Sequence, residues 1–168
     1  VQHKVVFLRD QPYATEHLVR LTEQLGGHGH TPFLEPMPDH PGVVKVVREA
    51  HEGGFNFGGA WHSDWSFQPE PPAFTLLWSV DVPAVGGDTM WTNMVLAYER
   101  LPEHVKTQIA GLRARHSIEA TFGAAMPIEK RLALKAQFPD AEHPVVRTHP
   151  VTGEKTLFVN GFTTHFTN

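Results

Sequence analysis

The sequence contains no cysteine among its 168 residues, which excludes disulfide bonds, thiolate metal ligands and a cysteine nucleophile. Any metal would therefore be held by nitrogen and oxygen ligands. The formal net charge is −4 and the 14 lysine and arginine residues form no run, so nothing indicates nucleic-acid binding. No apolar stretch is long enough to cross a bilayer, so we expect no membrane partner.

An initial methionine and a signal-peptide pattern are also missing. Residues 5–8 already form a short apolar run typical of a buried strand, so a cytoplasmic location is the expectation. The sequence begins with almost no residues before the first predicted strand and ends equally abruptly at residues 166–168, so we expect both ends to be cut. A content of 40% hydrophobic and 19% charged residues is typical of a folded protein, and we interpret residues 1–168 as one domain.

Short strands and a few outer helices are predicted along the chain. After residues 5–8, strands are predicted at 43–49, 73–80, 113–117, 143–148 and 155–159, with an extended segment at 89–93 and glycine-rich or proline-rich loops at 28–42 and 53–59. Helices are predicted at 16–25 after a Thr15 cap, from Asn93 to Leu101, from Pro102 to Leu112, and at 128–138; Thr152 and Gly153 predict a hairpin turn. This pattern favours a mixed α/β, mainly β fold: a distorted double-stranded β-helix (jelly roll) with flanking helices.

The sharpest local motif is His62-Ser63-Asp64. At a strand or strand end, residues i and i+2 point to the same side, so this imidazole and carboxylate could bind one metal ion. Two histidines and one carboxylate form the facial triad of non-haem Fe(II) oxygenases. The motif alone is weak, because a surface polar pair has the same letters, but Trp61, Trp65 and a glycine-rich loop surround it.

Five ordered blocks around this motif resemble one family, the Fe(II)/2-oxoglutarate-dependent dioxygenases of the taurine dioxygenase (TauD/TfdA) type. The blocks are residues 5–11 (VVFLRDQ), 61–64 (WHSD), 71–73 (PPA), 86–92 (GGDTMWT), and 143–150 together with 157–160 (HPVVRTHP and LFVN). Ordered blocks along nearly the whole chain are far more specific than any single motif.

The resemblance implies roles for individual residues. His62 and Asp64 match the first two iron ligands, and Thr89 matches the threonine whose hydroxyl meets the distal carboxylate of 2-oxoglutarate. The family's second histidine ligand and a 2-oxoglutarate-binding arginine come beyond the hairpin, so we expect the C-terminal part of the fold to be incomplete here. His116, His149 and His165 are internal candidates for the third ligand, although the first two fall where the family carries structural histidines.

The substrate residues of taurine-cleaving members match only in part. His30 matches a histidine that helps to hold the substrate, whereas Phe33 replaces a tyrosine and Gly58 falls at an asparagine position. Two directed hydrogen bonds would thereby be lost, so taurine is not the expected substrate. The apolar side chains Phe33, Phe55, Phe57, Phe162 and Met37 suggest a larger, more apolar pocket, although each could equally be a core residue.

The resemblance therefore implies an oxidoreductase that uses Fe(II), 2-oxoglutarate and O2. It would hydroxylate a small organic anion (a sulfonate, an alkyl sulfate or an aryloxy acid) and give succinate, CO2 and a cleaved product. Family members are often homo-oligomers, so a dimer or tetramer is expected. Two alternatives stay open: a jelly-roll metal hydrolase or isomerase using His62, Asp64 and His116 with Zn or Mn, and an inactive family member.

Overall fold

The computed structural model describes residues 2–31, 34–49, 51, 58–123 and 126–168. Their contacts divide them into two compact units. The larger unit comprises the described residues of Val1–Lys4, Gly58–Pro71 and Asp88–Asn168, and the smaller comprises those of Val5–Phe57 and Pro72–Gly87. In the described residues seven short strands accompany five helices, which confirms the mixed α/β, mainly β prediction at this coarse level.

The smaller unit contains one helix and one two-stranded sheet. Helix α1 (Thr15–Gln24) packs against β2 (His40–Val44), which pairs antiparallel with β1 (Pro36–Met37). The predicted helix at 16–25 is thus confirmed, but Ala14 precedes it as the N-cap, and its backbone N–H donates to His17 Nδ1 at 3.0 Å. The Thr15 cap was therefore wrong.

The larger unit is built around a three-stranded antiparallel sheet in the order β4-β3-β7. Its strands are β3 (Arg113–His116), β4 (Ala141–Pro144) and β7 (Thr163–Phe166). A separate hairpin, β5 (Val146–Thr148) with β6 (Lys155–Leu157), confirms the hairpin predicted around residues 152 and 153. Gly153 has a φ of 73°, a left-handed conformation that glycine adopts without strain.

Four helices complete the larger unit: α2 (Met94–Glu99), α3 (Glu103–Ile109), α4 (Glu119–Phe122) and α5 (Ile128–Gln137). The predicted cap of α2 is confirmed, because Asn93 Oδ1 accepts from the backbone N–H groups of Val95 and Leu96 at 3.0 and 3.3 Å. Pro102 precedes α3 as its N-cap, where a missing N–H is harmless. The predictions for α3 and α5 are also confirmed, except that α3 ends at Ile109 and not at Leu112.

The core of the larger unit is aromatic. Phe67, Phe138 and Phe162 are buried together with Ile118, and Phe67 meets the other two rings edge-on at centroid distances of 6.0 and 5.0 Å. Such edge-to-face pairs add to the hydrophobic stabilisation of the core. Phe67 lies five residues after His62, so the core begins directly beside the candidate metal motif.

Three predicted extended segments, 5–8, 73–80 and 89–93, are wrong as strands, and the strand predicted at 43–49 ends at Val44. A strand exists only where a neighbour accepts and donates its backbone hydrogen bonds, and no such ladder along these segments is present among the described residues. Their apolar side chains are exposed: Phe7 by 62%, Leu77 by 75% and Val80 by 82%. The residues have high strand propensity, but propensity alone does not supply a pairing partner.

No helix in the part of the chain that the structure describes is long and apolar enough to cross a membrane.

Candidate metal site

The side chains of His62 and Asp64 meet directly. His62 Nε2 lies 3.1 Å from Asp64 Oδ1, and both side chains are about one-third exposed. The other ring nitrogen, Nδ1, lies 2.7 Å from the carbonyl oxygen of Ala60, to which it donates. A metal-binding histidine is commonly oriented in this way, with its second N–H held by a backbone carbonyl. The contact fixes the ring so that Nε2 faces the carboxylate.

The distance between these two atoms suits one edge of an octahedral coordination sphere. First-row metal ions bind such nitrogen and oxygen atoms at about 2.1 Å, and two ligands at right angles are then about 3.0 Å apart. The observed 3.1 Å between Nε2 and Oδ1 matches this ligand-to-ligand separation. The donor set fits the iron that the sequence implied, since imidazole and carboxylate both suit Fe(II).

The carboxylate also changes the protonation of the histidine. The pKa of His62 is raised above its ordinary value, chiefly by the hydrogen bond to Asp64, while partial burial opposes the shift. The Ala60 carbonyl adds to the increase. The pair is thus an electrostatically favourable place for a cation.

The local geometry differs from the one that the sequence predicted. Residues 61–63 belong to no strand, and 64–67 form a turn. Trp65 has a φ of 47°, a left-handed conformation that is costly for a bulky residue. Such strain persists only where the surroundings hold it, and the fully buried Ser66 and Phe67 follow at once. The two side chains meet because of this turn and not because of strand alternation.

Gly58 is adjacent to the candidate ligand His62. A Cβ at Gly58 would lie 3.9 Å from His62 Cε1, in ordinary van der Waals contact, and the φ of Gly58 is 78°. A side chain at position 58 would therefore contact the ring of the candidate metal ligand His62. The sequence-based assignment of Gly58 to the substrate pocket stays a prediction, with a geometry compatible with it.

The remaining predicted site residues lie in several different parts of the chain. Thr89 is exposed, in the same compact unit as His62 and Asp64, four residues before the capping Asn93. His30 is exposed in the smaller unit, and Met37 lies in β1. Phe33, like Phe55 and Phe57, lies outside the described residues. Phe162 is a core residue, yet its ring also meets His62 edge-on at 6.2 Å.

The internal histidines have other bonding partners. His116 is fully buried, with Nδ1 3.0 Å from Ser66 Oγ and Nε2 3.5 Å from Thr163 Oγ1. His149 Nδ1 accepts from two backbone N–H groups in the turn between β5 and β6. His165 lies in β7, with Nδ1 3.0 Å from Thr164 Oγ1. No group of three metal-binding side chains is present among the described residues, so none of these histidines completes the His62–Asp64 pair.

Sequence reasoning missed the residues that hold the motif in place. Ser66 and Asn160 are 94 positions apart and bonded to each other, and Gly161 N–H donates to the Trp61 carbonyl at 3.0 Å. A partial signal existed for His116, because it alternates with the buried Ala114 along β3. Nothing in the sequence pairs these segments.

With this geometry established, the chain can be compared with known proteins. Residues 1–168 match the family model described as "Taurine catabolism dioxygenase TauD, TfdA family". A Pseudomonas putida alpha-ketoglutarate-dependent sulfate ester dioxygenase is 31% identical over 96% of this chain and 55% of its own length. A crystal structure of a proposed alpha-ketoglutarate-dependent taurine dioxygenase from Burkholderia xenovorans matches with a TM-score of 0.67 and 30% identity, over 94% of this chain and 50% of that one. A proposed 2,4-D dioxygenase from the same organism matches with a TM-score of 0.56 and 39% identity, over 64% and 42%.

Fold and candidate site together define a mixed α/β protein in which an imidazole and a carboxylate approach each other to 3.1 Å. The chain belongs to the TauD/TfdA family of alpha-ketoglutarate-dependent dioxygenases, as the five sequence blocks indicated. It spans about half the length of these relatives.

Proposed function

We propose that this chain is the metal-binding part of an Fe(II)- and 2-oxoglutarate-dependent dioxygenase that hydroxylates a small organic anion. The observation that carries the proposal is the 3.1 Å approach of His62 Nε2 to Asp64 Oδ1, with Nδ1 held by Ala60. Family membership supports the cosubstrates 2-oxoglutarate and O2. The alternative hydrolase with His116 as a ligand has no support, because the bonds of that ring run to Ser66 and Thr163.

The chain's own residues would each have a distinct task. His62 and Asp64 would hold the iron, with a third ligand and a 2-oxoglutarate-binding arginine supplied outside the given sequence. Thr89 would donate its hydroxyl hydrogen to the distal carboxylate of 2-oxoglutarate without adding charge. When bound, the iron supplies oxidative decarboxylation of 2-oxoglutarate coupled to C–H hydroxylation, and the protein orients the C–H bond.

The proposed substrate class rests on the sequence resemblance and on the relatives. We propose a sulfonate, an alkyl sulfate or an aryloxy acid as the substrate, with His30, Phe33 and Gly58 as substrate-binding residues. The relatives named for sulfate esters and 2,4-D support this range of small anions. Glycine at position 58 itself supplies no side-chain amide beside His62, so taurine is not the expected substrate.

The remaining features of the proposal are those of a small-molecule enzyme. We propose one catalytic domain over residues 1–168 with a jelly-roll fold completed by further chain, assembly into dimers or tetramers, and a cytoplasmic location without nucleic-acid or membrane partners. The likeness to the B. xenovorans crystal structure supports the fold.

Anaerobic addition of Fe(II) and 2-oxoglutarate to the purified protein tests the function. The expected result is the weak visible charge-transfer band of an iron-chelated keto acid, absent from a His62→Ala variant. An intact mass accompanies the measurement, because the band needs the full ligand set. A protein of the relatives' full length that gives no band, or a band that survives His62→Ala, contradicts the proposal.

Replacing Thr89 by valine should separate cosubstrate binding from metal binding. Valine keeps the shape and removes the hydroxyl, and one hydrogen bond to a charged group contributes about 1.5–3 kcal/mol, or roughly 10- to 150-fold in affinity. The 2-oxoglutarate concentration needed to half-saturate the band should rise accordingly. Thr92→Val, a nearby exposed residue with no assigned role, is the matched control. Loss of iron uptake in Thr89→Val would contradict the assigned role.

A further inference from the structure

The segment that carries His62 and Asp64 is held at both ends by a second segment, residues 160–162. At one end Gly161 N–H donates to the Trp61 carbonyl at 3.0 Å. At the other end the Asn160 amide lies 3.1–3.2 Å from Ser66 Oγ. Both metal-binding side chains lie between these two attachment points. We call the side-chain series Asn160–Ser66–His116 the motif clamp.

The motif clamp is a continuous series of side-chain hydrogen bonds. Asn160 Oδ1 accepts from Phe162 N–H at 2.9 Å, which fixes the orientation of the amide, so Nδ2 donates to Ser66 Oγ at 3.1 Å. Ser66 Oγ also lies 3.2 Å from Asn160 Oδ1 and 3.0 Å from His116 Nδ1, so it has a hydrogen-bond partner on each side. On the other side of the ring, His116 Nε2 lies 3.5 Å from Thr163 Oγ1.

Burial makes the motif clamp stiff. Ser66 and His116 are both 0% exposed, and the His116 ring stacks on Phe158 at a centroid distance of 5.4 Å. His143 meets the same ring edge-on at 5.2 Å. Since no water reaches these two groups, a hydrogen bond lost between them is not replaced by solvent, at a cost of about 1–3 kcal/mol. The ring of His116 is thus fixed by packing and in turn fixes Ser66.

The clamp also connects the motif to the sheet. His116 ends β3, the central strand, and Thr163 begins β7 beside it. The Asn160 backbone N–H donates to Thr163 Oγ1 at 3.0 Å. Thr163 therefore contacts both ends of the motif clamp, Asn160 and His116. The turn that contains the strained Trp65 lies inside this framework.

We propose that Asn160, Ser66 and His116 are positioning residues that set the separation of the two metal ligands. The inference rests on the proposed function, because it assigns the clamp a purpose at the His62–Asp64 edge. Without the Ser66 contact, the chain after Asp64 is released, and the 3.1 Å spacing is no longer imposed before metal binding. Groups that orient metal ligands typically contribute a factor of 10–100 to metal affinity.

The test is a Mn(II) titration followed by the EPR signal of the unbound ion, on the protein without substrate. We expect Ser66→Ala and Asn160→Ala each to weaken Mn(II) binding roughly tenfold. Because the two residues belong to one series of hydrogen bonds, the double variant should lose little more Mn(II) affinity than either single variant. Thr121→Val is the matched control: it removes the 3.0 Å hydrogen bond from Thr121 to the Gly161 carbonyl, on the same segment, without touching the motif.

Circular dichroism melting separates positioning from general damage. Ser66→Ala and Thr121→Val should both lower Tm, but only Ser66→Ala should weaken Mn(II) binding. Ser66→Cys, which retains a weak donor, should recover part of the affinity. Equal Mn(II) affinity in Ser66→Ala, Asn160→Ala and wild type, alongside a loss in His62→Ala, overturns the positioning role and leaves the proposed function standing. If His62→Ala also binds Mn(II) like wild type, the proposed function fails and the clamp proposal fails with it.

Discussion

Replacing Asp64 by asparagine is expected to weaken divalent-metal binding by more than about 100-fold, which is beyond the loss caused by residues that only orient ligands. The change keeps the size of the side chain but removes the negative charge that faces His62 Nε2 at 3.1 Å. It also removes the charge from the hydrogen bond that is the main cause of the raised pKa of His62. Mn(II) titration by EPR gives the affinity, and circular dichroism shows whether the fold is retained.

Asp81→Asn is the control for this charge change, because Asp81 is exposed and has no assigned role in the site. It should bind Mn(II) like wild type. An Asp64→Asn protein with wild-type affinity would show that the carboxylate is not a ligand, whatever its distance from His62.

Acid should unfold the protein through His116. Burial, together with the neighbouring His143, lowers the pKa of His116 to about 4, although a backbone hydrogen bond with Phe158 opposes the shift. The unfolded chain therefore binds more protons than the folded one between pH 6.5 and about 4. The resulting stability is fully present above pH 6.5 and is lost as the pH falls to about 4, by up to roughly 3 kcal/mol.

Other histidines modify this dependence. Burial also lowers the pKa of His143, with Arg147 and Arg113 adding to the decrease, so His143 destabilises the fold in acid in the same direction. The raised pKa of His62 has the opposite sign: its contribution is present at low pH and is lost as the pH rises through the folded value. The contribution of His116 to the pH dependence of stability must therefore be obtained by comparing wild type with a His116 variant.

Urea unfolding of metal-free protein at pH 7, 5.5 and 4.5 provides that comparison. His116→Gln should be less stable than wild type at pH 7 but should lose much less of its stability on acidification. His165→Gln, in the exposed part of β7, should follow the wild-type curve. Parallel pH curves for wild type and His116→Gln would contradict the assignment.

The sequence predicted the parts of this fold whose causes are local. Asn93 caps α2 because a side-chain oxygen there meets backbone N–H groups two and three residues on, whatever the rest of the chain does. The apolar periodicity of α5 and the turn residues before β6 are local in the same sense. The segment 73–80 shows the limit: its composition favours a strand, but a ladder needs a second segment that composition does not name.

The site was predictable to a similar extent. His62 and Asp64 were identifiable because they are two residues apart and part of an ordered set of blocks, and the structure brings them together. The way in which the two side chains come together was not predictable, since it depends on the turn at Trp65 and on contacts from residues 160–162. The exclusion of His116 as a ligand required its burial and bonding, which its spacing from Asp64 does not reveal.

The long sequence separation within the motif clamp has a consequence for protein synthesis. Ser66 meets Asn160 across 94 positions, so the segment that carries His62 and Asp64 leaves the ribosome well before the residues that hold it. At about 5–20 residues per second, the interval is roughly 5–20 s. During this time the nascent His62–Asp64 segment has no clamp, and a metal ion captured then would meet a flexible pair of side chains. Selective metal loading is therefore expected to follow translation of residue 163 and closure of the central sheet.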